Sequence, residues 1–330
     1  MRKFLKRLVI FLLLSMVVLQ IAEYFLPYHY GNKNFSTKVL YFKNNPNKFN
    51  TLFLGSSKTD YSVYPPTIDS ILKDEGVKSF NFGVGGTSNP ESYFLAENLI
   101  KDLDSTDVKI LVLEVSPVRN MSLKNFKTTR NCYYHSLNQL YFSFNVVNEE
   151  RYPWKKKAKF YFKYSLHFLK DKINFSKLTY LRNPYQNSTN IQDDNYNGFT
   201  STIIHQAKAI TQKDYDRKIK IALNRDTIAN IQSPKDYSTH AKRLNAFYEV
   251  CQQKGIKAFF LVQPKHYDYS YMRSMYHQLP ANSIIDVSDA EKFPKLYDPA
   301  YSKDPGHLND KGAFVLSKIV GTEIKKRITQ

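Results

Sequence analysis

Five short apolar runs, each stopping at a turn, constrain this chain more than any other feature. Thr51-Leu-Phe-Leu54 ends at Gly55, and Lys78-Ser-Phe-Asn-Phe82 runs into a glycine-rich turn. Val108 to Val115 (VKILVLEV) and Ile256 to Val262 (IKAFFLV) are nearly continuous apolar runs, as expected of strands covered on both faces. Ser283 to Val287 supplies the fifth. Helical spacing occupies Thr67 to Lys73, Pro90 to Leu103, Ala241 to Lys254 (closed by Gly255) and Asp310 to Arg327, with Asn309 as the N-cap of the last. Strands alternating with helices predict an α/β fold, a three-layer α/β/α sandwich around a mostly parallel five-stranded sheet. In such sheets a ligand lies beyond the carboxyl ends of the strands, so functional residues should follow the strands directly.

The alternation is interrupted twice. At the N-terminus a basic head with Arg2, Lys3, Lys6 and Arg7 precedes the uncharged run Leu8 to Ala22 (LVIFLLLSMVVLQIA). Fifteen residues at ~1.5 Å rise span roughly 22 Å, approaching a full bilayer crossing once Glu23 to Leu26 sit at the interface. Cleavage before Glu23 would put Gln20 where a small residue is needed, which favours an uncleaved transmembrane anchor over a signal peptide. Basic residues stay on the cytoplasmic side, so the rest of the chain is expected in the periplasm or at the cell surface as a single-pass membrane protein. The second interruption, about 120–235, is aromatic, basic and irregular, and reads as a large insertion. The expected organisation is therefore an anchor over 1–26, a juxtamembrane connector over 27–48, and the α/β domain over 49–330 interrupted at about 120–235.

Charge and composition exclude other classes. With 48 Lys and Arg against 29 Asp and Glu the chain carries a formal charge of +19, which would suit nucleic acid in a cytosolic protein. Behind a membrane anchor it better suits anionic headgroups or acidic envelope polymers, so no nucleic-acid partner is expected. Two cysteines exclude a disulfide scaffold, and no His-Glu-x-x-His or similar ligand cluster appears, so neither a metal nor a cofactor is expected.

Three strand-end turns carry the chemistry. Gly55-Ser56-Ser57 follows the first strand, where a glycine permits a tight turn and a serine can be a nucleophile whose own N–H helps hold an oxyanion. The same residues also suit an ordinary strand-to-helix turn with serine as a cap. Asn81-Phe-Gly83-Val-Gly85-Gly86 follows the second strand; its spacing is not the G-x-G-x-x-G of dinucleotide sites. Asp304-Pro-Gly-His307 lies between the fifth strand and the last helix. A carboxylate three residues before an imidazole can accept its Nδ1–H, fix the tautomer and leave Nε2 as a base.

The order of these blocks, Ser57, then Gly86, then Asp304 and His307, resembles the SGNH (GDSL-type) hydrolase superfamily over residues 50–119 and 236–328. The resemblance implies Ser57 as nucleophile, His307 as general base, Asp304 as its orienting partner, and the N–H groups of Ser57 and Gly86 as the oxyanion hole. Two departures stand out. The first block is Gly55-Ser56-Ser57 in place of Gly-Asp-Ser. The third strand ends Leu113-Glu-Val-Ser116-Pro-Val-Arg119-Asn120, without the Gly-x-Asn-Asp that supplies an oxyanion asparagine. Ser116 falls near that position, with Arg119 and Asn120 as substitutes. This is similar to the membrane-anchored branch that includes the D-alanyl transfer protein and the alginate O-acetylation proteins, which act in the cell envelope beside membrane-bound O-acyltransferases.

The expected function is serine-dependent acyl-ester chemistry, as an esterase or O-acyltransferase, on an envelope polysaccharide or other acylated polymer. Asn81, Arg119, Asn120 and the run Lys155-Lys156-Lys157, beside Tyr133, Tyr134, Trp154, Phe160 and Tyr161, are the candidates for substrate contact, because aromatic faces stack on sugars and lysines attract anions. The alternative is a catalytically silent envelope-assembly protein that binds an anionic glycan or a membrane-bound acyltransferase. The missing asparagine favours that alternative, since one lost oxyanion donor costs roughly 10²–10³ in rate.

Overall fold

The computed structural model describes residues 1–87, 90–103, 108–115, 130, 136–150, 152–182, 197–202, 211–223, 238–264 and 273–329. The chain is a mixed α/β protein built on a five-stranded, all-parallel sheet. The strands are β1 (Thr51–Gly55), β2 (Ser79–Gly83), β3 (Ile110–Glu114), β4 (Lys257–Val262) and β5 (Ile284–Asp286), in spatial order β2-β1-β3-β4-β5. Each expected apolar run is a strand, with ends shifted by one or two residues. The order reverses between β1 and β3, and a crevice outside the carboxyl ends of the strands opens at such a switch point.

The helices are α1 (Arg2–Tyr24), α2 (Lys33–Asn44), α3 (Ser57–Ser62), α4 (Pro65–Ile71), α5 (Glu91–Asp102), α6 (Leu137–Glu149), α7 (Trp154–Lys172), α8 (Ser176–Arg182), α9 (Gln212–Leu223), α10 (Ser238–Gln253), α11 (Arg273–Tyr276) and α12 (Asp310–Ile328). α1 is long and apolar enough to cross a membrane, and only a small share of its apolar stretch is buried. A two-stranded antiparallel hairpin, β6 (Ser302–Asp304) and β7 (His307–Leu308), leads into α12.

The chain divides into two compact units: residues 1–37 with 120–190, and residues 38–119 with 191–330. In the second unit Phe53, Val112, Phe259, Leu261 and Ile285 recur at alternate positions along the strands and join Leu316, Val320 and Ile324 of α12 in one buried cluster. Asn309 caps α12 by accepting the Gly312 N–H at 3.0 Å, as its place in the sequence predicts. In the first unit Phe142, Val146 and Val147 of α6 close on Tyr164 of α7.

The division differs from the expected boundaries in two places. It falls inside the 27–48 connector, within α2. The first unit also ends at residue 190, not 235. Residues 197–202 belong with the sheet because their polar groups are used there. The Asn197 carbonyl accepts the Asn81 N–H at 2.9 Å, the Thr200 hydroxyl donates to Asp60 at 2.9 Å, and Asp310 accepts Ser201 and Thr202.

Candidate active site

The first strand delivers Ser57 to the switch point. β1 ends at Gly55, Ser56 is the N-cap of α3, and Ser57 is the first residue of that helix. The capping is done by Ser56, whose Oγ accepts the Lys58 N–H at 3.2 Å, so Ser57 is released from that task. A side chain at position 55 would run into Thr59 and Glu114, which is why the turn needs glycine.

The Ser57 Oγ lies 2.7 Å from His307 Nε2. Across the β6–β7 hairpin Asp304 stands opposite His307, and both its oxygens reach Nδ1, at 2.8 and 2.9 Å. The Gly306 N–H also donates to Asp304, at 2.8 Å. With the proton on Nδ1 held by the carboxylate, Nε2 is left to accept from the serine hydroxyl. Burial alone would raise the Asp304 pKa, but the hydrogen bond and charge of His307, with the backbone donors, outweigh it and hold the carboxyl below its ordinary range. The site stays accessible: the His307 and Asp304 side chains are 27% and 31% exposed. The Tyr61 ring packs edge-on against His307 at 5.5 Å, and the Lys303 ammonium sits over Tyr61 at 4.0 Å.

Residues that no motif pointed to hold the turn. Glu114, at the end of β3, is buried and accepts from the Ser56 N–H and hydroxyl and from the Thr59 N–H and hydroxyl, at 2.6–3.2 Å. The signal available for it was a lone acidic residue closing an otherwise apolar strand. Lys38 of α2 is buried and donates to Asp60 of α3 at 2.8 Å and to the Gly83 carbonyl at 2.6 Å, tying the nucleophile helix to the end of β2. Lys58 donates to the Pro264 carbonyl at 2.9 Å; burial lowers its pKa against the opposing pull of Glu114.

The other candidates fare differently. Gly86 is exposed, with φ +74°, in the turn after β2. Asn81 is corrected from substrate contact to scaffold. It is fully buried; its amide donates to the carbonyls of Thr59 and Val63, and its Oδ1 accepts the Gly83 N–H, leaving nothing directed at a ligand. Ser116, Arg119 and Asn120 lie outside the described residues, as do Tyr133 and Tyr134. Lys155, Lys156 and Lys157 are on α7 in the first unit, while Ser57, Asp304 and His307 are in the second. Lys157 donates to the Asn148 carbonyl at 3.0 Å and Lys156 sits over the Tyr152 ring at 3.6 Å.

Among the described residues no three His, Cys, Asp or Glu side chains are grouped as metal ligands. Cys251 is free and buried, and burial pushes its thiol up to about 12, far from a reactive thiolate. A cavity of about 180 Å³ walled by Phe42, Phe49, Leu99, Leu103 and Val108 opens at the amino ends of β1 and β3, opposite the Ser57 end.

No protein-family model, curated protein or solved structure matches this chain.

Proposed function

We propose that the protein is a serine-dependent acyl-ester enzyme, an esterase or O-acyltransferase related to the SGNH superfamily, acting on an envelope glycan or other acylated polymer. The observation that carries this reading is the 2.7 Å contact from Ser57 Oγ to His307 Nε2, with Asp304 behind the imidazole. In the reaction Ser57 Oγ attacks the acyl carbonyl carbon while His307 Nε2 takes its proton, and the carbonyl π pair moves onto oxygen. The N–H groups of Ser57 and Gly86 are the proposed donors to that oxyanion. Collapse expels the alcohol, which recovers the proton from His307, and leaves an acyl-serine. Water or a sugar hydroxyl, deprotonated by the same imidazole, attacks the acyl carbon, and the acyl–oxygen bond to Ser57 breaks as its Oγ recovers the proton from His307.

The reading extends to the setting. α1 is proposed as an uncleaved anchor with its basic head in the cytoplasm, the sheet domain as a three-layer sandwich outside, and the region from residue 120 as an insertion between β3 and β4. The length and apolar character of α1 support the anchor.

The test is labelling of the purified protein with a serine-directed fluorophosphonate, alongside turnover of p-nitrophenyl acetate. Labelling of the wild type that disappears in Ser57→Ala is the expected result. An unlabelled, inactive wild type would make the silent assembly protein the better reading.

A further inference from the structure

The helices of the first unit present two opposed faces. On α7, Tyr164 and Asp171 point inward and are buried. By the ~100° turn per residue, Phe162, Leu166, Leu169 and Ile173 line the opposite side, three and four residues apart. They are exposed, Phe162 by 69% and Leu169 by 52%. Phe175, Leu178 and Leu181 continue the exposed apolar surface into α8. The stripe from Phe162 to Ile173 is roughly 16 Å long at ~1.5 Å per residue. Lys159, Lys163 and Lys170 lie along one side of it, roughly 50–90° around the helix from its centre.

The place of this surface is set by α1. Leu19 and Ala22, in the last turns of α1, are its buried residues. Glu23 is held by Lys172 at 3.0 Å and by the fully buried Lys177 at 2.8 Å, and Lys177 also reaches Asp171 at 3.3 Å. α7 and α8 are therefore fastened to the end of the apolar helix, where a transmembrane segment leaves the hydrocarbon. An apolar stripe bordered by lysines at that level matches an interfacial helix, with acyl chains meeting the stripe and anionic headgroups the ammonium groups.

We propose that α7 and α8 lie in the lipid–water interface of the leaflet through which α1 emerges, the stripe sunk among the acyl chains. The proposal rests on α1 spanning the bilayer and is independent of any chemistry at Ser57.

The chain's single tryptophan, Trp154, begins α7 and is 73% exposed, so it reports how near this helix comes to lipid. The full-length protein is reconstituted into vesicles of phosphatidylcholine and phosphatidylglycerol containing brominated lipid. Wild-type Trp154 fluorescence should be quenched. Combined Phe162→Ser, Leu166→Ser, Leu169→Ser and Ile173→Ser should abolish the quenching while α1 keeps the protein resistant to carbonate extraction. Leu166→Ser and Leu169→Ser made singly should each lower it, should the fourfold change disturb folding by circular dichroism. Combined Lys159→Gln, Lys163→Gln and Lys170→Gln should remove the dependence of quenching on phosphatidylglycerol. Unquenched Trp154 in a carbonate-resistant wild type, or equal quenching in wild type and stripe variants, overturns the proposal in favour of a protein partner on this face. Extraction of the wild type by carbonate removes its premise and overturns it as well, leaving the Ser57 chemistry to be judged by its own labelling test.

Discussion

In the proposed reaction Ser57, His307 and Asp304 have unequal tasks, and their variants should rank accordingly. Without the Ser57 hydroxyl no acyl-enzyme forms, and without the imidazole the hydroxyl stays protonated. Ser57→Ala and His307→Gln should each cut single-turnover acylation by about 10⁶-fold, on the scale of serine-protease triads, and Asp304→Asn by about 10⁴-fold. Asp304 sets the acid side. Its folded pKa lies below the ordinary 3.8, so its contribution to stability is present above that value and lost as pH falls through the lower, folded one. Melting followed by circular dichroism against pH should therefore show wild type and Asp304→Asn converging only in strong acid. Glu114 is a different case, since it touches the turn and not the reacting atoms. Glu114→Ala strands the half-buried Ser56 donors and the buried Thr59 donors, an unmet buried donor costing about 1–3 kcal/mol. The melting temperature should fall together with the fluorophosphonate labelling rate; an unchanged rate in a destabilised protein would limit Glu114 to stability. The hydrogen-bonded trio was legible in the sequence because Asp304 and His307 are three residues apart and Ser57 follows a strand-ending glycine. Glu114 was not, because its donors are more than fifty residues away and nothing local marks it. Asn81 misled for the same reason: a polar residue beside a glycine-rich turn looks the same whether it faces a ligand or the helix behind.

The elements were readable where burial imposes a pattern on the sequence. The apolar runs at Thr51, Ile110 and Lys257 had to be strands, because parallel strands covered on both faces tolerate few polar residues. α2 offered no such pattern. It is polar and aromatic, and its role rests on one buried lysine reaching across to Asp60 and Gly83. Among the described residues, Lys38→Met would leave the Asp60 carboxylate buried with only the Thr200 hydroxyl bonded to Oδ1, costing about 3–5 kcal/mol. It would also free the carbonyl that ends β2, just before the Gly85-Gly86 turn. The expected outcome is a lower melting temperature and a slower acylation step, with Ser57 still labelled to completion. Labelling at the wild-type rate, despite the lower melting temperature, would show that α2 supports the domain without setting the turn.

Across the whole molecule, the expected insertion at about 120–235 is longer than the stretch 120–190 that groups with the N-terminal unit. Residues 197–202 have no apolar periodicity, and they belong with the sheet through hydrogen bonds to Asn81, Asp60 and Asp310 that spacing cannot reveal. The proposed polarity of the chain across a membrane, in contrast, rests on a handful of charges. Arg2, Lys3, Lys6 and Arg7 precede the apolar stretch of α1, and lysines and arginines near a span end bias that end toward the cytoplasm. The +19 charge of the whole chain does not oppose this, because the bias is set by residues close to the span while folded domains far from it translocate regardless of charge. Alkaline phosphatase becomes active only where its disulfides can form, so fused after Gln330 it reports the side of the C-terminus. The fusion should be active and should sediment with membranes. Replacing the four basic residues by glutamine should lower that activity, since the bias then rests on nothing but the loop beyond α1. Activity that is soluble would mean α1 is removed as a signal sequence, and an inactive, membrane-bound fusion would place Ser57 and His307 in the cytoplasm, away from any envelope polymer.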